Sequence, residues 1–149
     1  MRPQVPFEQL YAERHAPMVR LARLLVGSVE EAEELVQDAF VRVHARYDTV
    51  EEPAAYLRTA VVNACRNRTR RRVLERERTP TTVEAVLPPE VDAVWESLQR
   101  LEARRRTALV LRYYEDLPVA EVGRLMGCSE GAAASLIRRA LADMKEVLS

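Results

Sequence analysis

Apolar positions recur every three or four residues along most of the chain, and that spacing predicts helices nearly throughout. In the first stretch, from about Phe7 to Val26, Phe7, Leu10, Tyr11, Met18, Leu21, Ala22 and Leu25 share a face, and Pro17 is expected to kink or restart the helix. Gly27 should end it, and Ser28 with Glu31 reads as a capping box opening a second helix. There Ala32, Leu35, Val36, Ala39, Phe40 and Val43 form one continuous stripe, with Glu33, Glu34, Gln37 and Asp38 off it. A polar loop at 48–52 leads to Pro53, a favoured first helical residue. The third helix carries Leu57, Ala60, Val61 and Ala64 inward and runs out into arginines. Residues 79–90, TPTTVEAVLPPE, hold three prolines and three threonines without an amphipathic period and read as a linker. Fully extended, a dozen residues reach roughly 40 Å. Helices are expected again near 90–101, 103–115, 118–126 and 130–148. The fold class is therefore all-α: two small helical domains, residues 1–78 and 90–149, joined by a flexible linker at 79–89.

A length of 149 residues suits two such domains, and a hydrophobic share of 48% is enough to build their cores. No apolar run is long enough to span a membrane, and the amino terminus, MRPQVPFEQL, lacks the apolar stretch of a secretory signal. A cytoplasmic location follows as the expectation. Cys65 and Cys128 are too few and too far apart for a disulfide framework or a zinc site, and both read as small buried or turn residues. With no cluster of nucleophile, base and oxyanion donors, neither a catalytic residue nor a cofactor or metal is expected. The net charge of zero conceals segregation. From Gly27 to Glu52 there are eight acids against two bases, whereas from Val62 to Arg78 there are seven arginines against two acids. The bases are 22 arginines and one lysine, Lys145, and arginine offers a flat fork of donors suited to phosphates and base edges. A further basic cluster comprises Arg100 and Arg104–Arg106. Solvated helix faces would account for single arginines; an acidic and a basic face in one small chain point to two different partners.

Residues 117–141, LPVAEVGRLMGCSEGAAASLIRRAL, carry a helix-turn-helix pattern. Val119, Val122, Leu125 and Met126 give the first helix its apolar face, Gly127 provides a left-handed turn, and Ser129 can cap the second helix. Ala133, Ile137, Leu141 and Met144 should face the core, leaving Ala132, Ser135, Arg138 and Arg139 outward, where a recognition helix meets a major groove. The alternative is an ordinary helical hairpin closing a bundle. Trp95 is expected to anchor the core of this domain.

Together these segments resemble a bacterial RNA polymerase sigma factor of the extracytoplasmic-function group, in the sigma-70 family. AEELVQDAF (32–40) resembles the stretch that docks on the clamp helices of the polymerase core. PAAYLRTAVVNACRNRTRRR (53–72) resembles the helix that reads the minus-ten element, and residues 98–135 resemble the region that reads the minus-thirty-five element. The resemblance implies a non-enzymatic specificity subunit that binds RNA polymerase core through the β′ clamp helices and β flap, recognises promoter DNA, and helps open the minus-ten region. It further implies an anti-sigma factor as partner, possible sequestration at the membrane, and no small-molecule substrate. Under it, Glu34, Gln37 and Asp38 face the core enzyme. Asn63 and Asn67, four apart and hence on one face, meet exposed base edges, with Arg58, Arg66 and Arg70 on nearby phosphates. The loop at 48–52 resembles a pocket for a flipped base, whose lost stacking the pocket must offset. Ser129, Ala132, Ser135, Arg138 and Arg139 form the minus-thirty-five set. Each has a structural alternative: the acids as a solvated face, Asn63 as a local cap, and Tyr56, which replaces a common tryptophan, as core filling.

The chain departs from the family at 132–136, where Ala132, Ala133, Ala134, Ser135 and Leu136 replace a common Thr-Val-Lys-Ser-Arg run. Two cationic contacts are lost there, with Arg138 and Arg139 as partial substitutes, which weakens the expected minus-thirty-five contact. Gly123 replaces a usual alanine, at an expected cost near 1 kcal/mol in helix propensity. The competing readings are a stand-alone helix-turn-helix regulator and a sigma-like adaptor that acts without programming polymerase.

Overall fold

Every regular element among the described residues of the computed structural model is a helix; residues 5–78 and 93–148 are described. The expected linker at 79–89 lies outside them. In chain order the helices are α1 (Phe7–Val26), α2 (Val29–Ala45), α3 (Pro53–Arg78), α4 (Ala93–Arg100), α5 (Ala103–Tyr113), α6 (Val119–Met126) and α7 (Glu130–Leu148). The chain divides into two compact units, Met1–Cys65 and Arg66–Ser149, so the division falls within α3.

The first unit is built on the packing of α1 against α2. Leu10, Met18, Leu21, Ala22 and Leu25 of α1 are buried, as is the whole expected α2 stripe from Ala32 to Val43. Leu57, Val61, Val62 and Cys65 of α3 are 0–1% exposed, whereas Ala60 and Ala64, expected to face inward, are half-buried, Val62 and Cys65 being buried instead. Each fully buried side chain of this size contributes about 1.5–3 kcal/mol. α1 runs unbroken through Pro17, which is only half-buried, rather than restarting there. The turn to α2 follows the expected chemistry. Gly27 adopts φ 85° and its N–H donates to the Arg23 carbonyl, while the Ser28 hydroxyl oxygen accepts from the Glu31 N–H.

In the second unit α5 and α6 pack on α7 and on each other, and α4 packs on α7. Leu101, Leu109, Ala140 and Met144 form a buried cluster with Leu98 against it. Much of the second basic cluster is consumed by this architecture. Arg106 is 8% exposed and donates to the carbonyls of Leu101 at 3.2 Å and Gln99 at 3.4 Å, closing the end of α4. Arg105 pairs with Asp143 at 2.8 Å and ties α5 to α7. Only Arg100 and Arg104 of the four arginines are exposed. Two core assignments shift: Leu141 is exposed, and Ala140, one position earlier, is buried in its place. Trp95 is half-buried.

Two glycines shape the helix-turn-helix for different reasons. Gly127 lies at φ 67° with open space around its missing Cβ, so its backbone conformation, and no neighbouring atom, requires glycine. Gly123 is buried, and a Cβ there would sit 2.9 Å from the Cys128 carbonyl oxygen and 3.1 Å from that of Ser129. The backbone of the turn therefore approaches α6 too closely for a methyl group, which gives Gly123 a packing role that outweighs its helix-propensity cost. Gly123→Ala is expected to destabilise the second unit by about 1–2 kcal/mol, the overlap exceeding the gain in propensity. Urea unfolding followed by emission of Trp95, the only tryptophan, reads this change; a higher midpoint would contradict the close approach.

Candidate nucleic-acid interface

Three helix faces carry the candidate residues. On α2, burial of the apolar stripe turns Glu33, Glu34, Gln37 and Asp38 outward, and all four are exposed. The Tyr11 hydroxyl of α1 donates to Gln37 Oε1 at 3.3 Å, a contact that periodicity alone does not reveal. The acids stand on the solvent side of a helix whose positive amino-terminal end carries Glu30 and Glu31.

On α3, Asn63 and Asn67 are exposed on one face, one turn apart. Neither amide has a hydrogen-bond partner among the described residues. The local-cap alternative for Asn63 thus has no supporting contact, and both amides remain free to donate and accept. Arg70 is exposed, and Arg58 is half-buried. Arg66, where the second unit begins, is half-buried and donates to the Leu125 carbonyl at 3.4 Å. Burial, then the like charges of Arg70 and Arg104, lowers its pKa from the usual arginine range, and the guanidinium remains charged at neutral pH. Before α3, the chain turns at Arg46–Val50, where the Arg46 carbonyl accepts from the Thr49 and Val50 amides and the Thr49 hydroxyl. Tyr56 is half-buried beyond it.

On α7, the Ser129 hydroxyl oxygen accepts from the Ala132 N–H at 3.0 Å, capping the helix. Arg138 and Arg139 are exposed, while Ala132 and Ser135 are half-buried. The first turns of α7 therefore present small side chains, with cationic donors only two turns further along.

Sequence reasoning missed an aromatic cluster between α1 and α2. Phe7 meets Phe40 edge-on at 6.2 Å and His44 at 4.7 Å, and Tyr11 stacks on His15 at 5.0 Å. Only Phe7, Tyr11 and Phe40 of this cluster were legible as stripe residues; the histidines lie outside the apolar alphabet. Among the described residues no helix is long and apolar enough to cross a membrane.

Residues 10–74 match the Sigma-70 region 2 family and residues 92–144 the Sigma-70 region 4 family. The chain is 30% identical over 151 residues to the RNA polymerase sigma-E factor of Streptomyces coelicolor, spanning 95% of this chain and 85% of that protein. It is 32% identical to the ECF RNA polymerase sigma factor SigM of Mycobacterium tuberculosis, spanning 95% and 76%. Among solved structures it resembles the sigma factor RpoE of Bartonella quintana, in complex with the anti-sigma factor NepR. The TM-score is 0.77 at 24% identity, over 95% of this chain and 96% of that one, a likeness of fold. CnrH, in complex with the cytosolic domain of CnrY, gives a TM-score of 0.67 at 25% identity over 95% and 86%.

The cap geometry separates two substitutions at one position. Ser129→Ala should lower stability of the second unit by about 1 kcal/mol, whereas Ser129→Asp, another good cap, should change it by less than about 0.5 kcal/mol. Equal losses in Trp95-monitored unfolding would contradict the capping role.

Proposed function

The chain belongs to the extracytoplasmic-function sigma factors of the sigma-70 family, and from that premise we propose how its surfaces divide the work of transcription initiation. It is a dissociable specificity subunit that programmes RNA polymerase core. Residues 1–78 dock on the β′ clamp helices through Glu34, Gln37 and Asp38. The same segment holds the unpaired minus-ten strand through Asn63 and Asn67, with Arg58, Arg66 and Arg70 on its phosphates. The turn at 48–52 receives a base flipped from the stack. Residues 90–149 contact the β flap and the upstream duplex through Ser129, Ala132, Ser135, Arg138 and Arg139, and residues 79–89 tether the two. The protein works in the cytoplasm, has no enzymatic step, and is held in check by an anti-sigma factor, as the two related complexes exemplify.

The exposure of Asn63 and Asn67 without partners, on the helix that runs into seven arginines, is the observation that carries this reading. An exposed amide that makes no hydrogen bond among the described residues can pair with an unstacked base edge while the arginines neutralise phosphate. The small side chains at the start of α7 and its late arginines support a second unit that contributes fewer phosphate contacts than the family's usual run. A shallower salt dependence of upstream binding follows. The readings as an independent regulator or as an adaptor have less support, because both families match in order along the chain.

Run-off transcription with purified core polymerase on a promoter library tests the whole reading, and promoter-dependent transcripts are expected only when the chain is present. Asn63→Ala should reduce promoter opening about tenfold, the loss of one good base contact, while leaving core affinity unchanged. Equal loss of opening and core binding would assign Asn63 a structural role instead. Reversing the charges of Glu34 and Asp38 to arginine should weaken the polymerase complex at unchanged helix content.

A further inference from the structure

Within the second unit, the start of α5 and the end of α6 face the α3 residues that follow Cys65 across a pocket of about 470 Å³. That volume lies in the range of small-molecule sites, about 300–1,000 Å³. Arg66, Arg70 and Arg104 bring three guanidinium groups to it. Arg66 is already held by its hydrogen bond to the Leu125 carbonyl at 3.4 Å, so fixing it on a ligand costs little further entropy. Arg70 and Arg104 are exposed, and neither guanidinium has a carboxylate partner among the described residues. The fields of Arg70 and Arg104 reach Arg66 strongly enough to help lower its pKa, after burial, so the three charges converge. The opposite side is apolar: Val73 and Leu74 are 49% and 55% exposed, and Met126 is buried beneath. Glu102 stands on the rim, its carboxylate accepting from the Arg104 and Arg105 amides at 3.1 and 3.3 Å.

We infer that this pocket binds a nucleoside diphosphate, its phosphates on Arg66, Arg70 and Arg104 and its base against Val73, Leu74 and Met126. Charge sets the anionic half. Guanidinium forks pair bidentately with phosphate oxygens, and three of them match a diphosphate better than a single phosphate. The apolar side sets the other half, because a bare anion leaves Val73 and Leu74 uncovered, whereas a flat base covers them and can stack on a guanidinium. Glu102 points the same way. It repels phosphate, yet its remaining lone pairs can accept from the hydroxyls of a ribose. A nucleic-acid backbone has no use for an apolar wall beside its phosphates, so the pocket suits a small ligand better than a strand. Arg66 and Arg70 also belong to the set proposed for the minus-ten strand. A bound diphosphate therefore competes with promoter opening; this consequence rests on the minus-ten reading, and the binding itself does not.

Titration calorimetry of the full chain with GDP, in the absence of DNA and polymerase, is the test. One GDP should bind per chain with a dissociation constant below about 1 mM. Arg104→Ala, at an exposed position outside the proposed minus-ten set, should weaken binding at least about tenfold through loss of a charge-assisted pair. Leu74→Asp tests the opposite wall from another helix and should weaken it at least as much, with helix content by circular dichroism unchanged in both variants. Arg100→Ala removes one positive charge away from the pocket and should bind within about twofold of the native chain. Inorganic pyrophosphate should bind about tenfold more weakly than GDP, since it lacks the base and sugar. Absence of saturable GDP binding overturns the proposal. Equal losses at Arg104 and Arg100 also overturn it, by showing a diffuse attraction, and equal affinity for pyrophosphate and GDP overturns the nucleoside half. With core polymerase and a fluorescent base in the minus-ten element, GDP should reduce strand separation by the native chain and not by Arg104→Ala. Binding without that effect upholds the site and contradicts only the shared use of Arg66 and Arg70.

Discussion

The phase of a helix is the constraint on which the molecule depends. With 3.6 residues per turn, a helix that buries Ala32, Leu35, Val36, Ala39, Phe40 and Val43 must hold Glu34, Gln37, Asp38 and Val41 outward. The same geometry applies to α3, where burying Leu57, Val61, Val62 and Cys65 leaves Asn63 and Asn67 on the surface. The proposed binding faces are thus by-products of core packing, and their registers cannot slip without exposing the core. A one-residue change in phase would rotate each face by about 100° and lose several buried side chains worth about 1.5–3 kcal/mol each.

Charge segregation adds the second constraint. Seven arginines within residues 62–78 repel one another, and only two acids lie among them. Arg66 shows the consequence, since its lowered pKa reflects burial first and then the fields of Arg70 and Arg104. A polyanion relieves such a cluster more fully than any internal carboxylate in this segment. The exposed acids of α2 present the opposite condition and, on the proposed reading, meet a basic protein surface. On the proposed reading, each face repels the other's ligand, which favours selective capture in a chain with no net charge.

Most of the helical architecture was legible because it follows from local rules. Ser28 caps α2 and Ser129 caps α7 as their positions imply, and Gly127 takes the left-handed conformation expected of it. What escaped was decided by tertiary approach. Gly123 looked like a weakness of α6 until the carbonyls of Cys128 and Ser129 proved to lie against it. Arg106 looked like part of a basic surface and is buried on the carbonyls that end α4. Leu141 lost its core place to Ala140 because α7 meets α5 and α6 through a slightly different face than a simple i, i+4 count implies. At the candidate site, the exposure of Asn63, Asn67, Gln37 and Asp38 followed from periodicity, whereas the Tyr11–Gln37 hydrogen bond depends on two helices meeting.

The central claim is that one small helical chain presents two surfaces to two different macromolecules at once. Site-specific photocrosslinking in a complex of the chain, core polymerase and promoter DNA addresses it most directly. A photoreactive group at position 38 should capture a polymerase subunit and no DNA, and one at position 67 should capture the melted promoter strand. Crosslinks from both positions to the same partner, or from position 38 to DNA, would contradict the account.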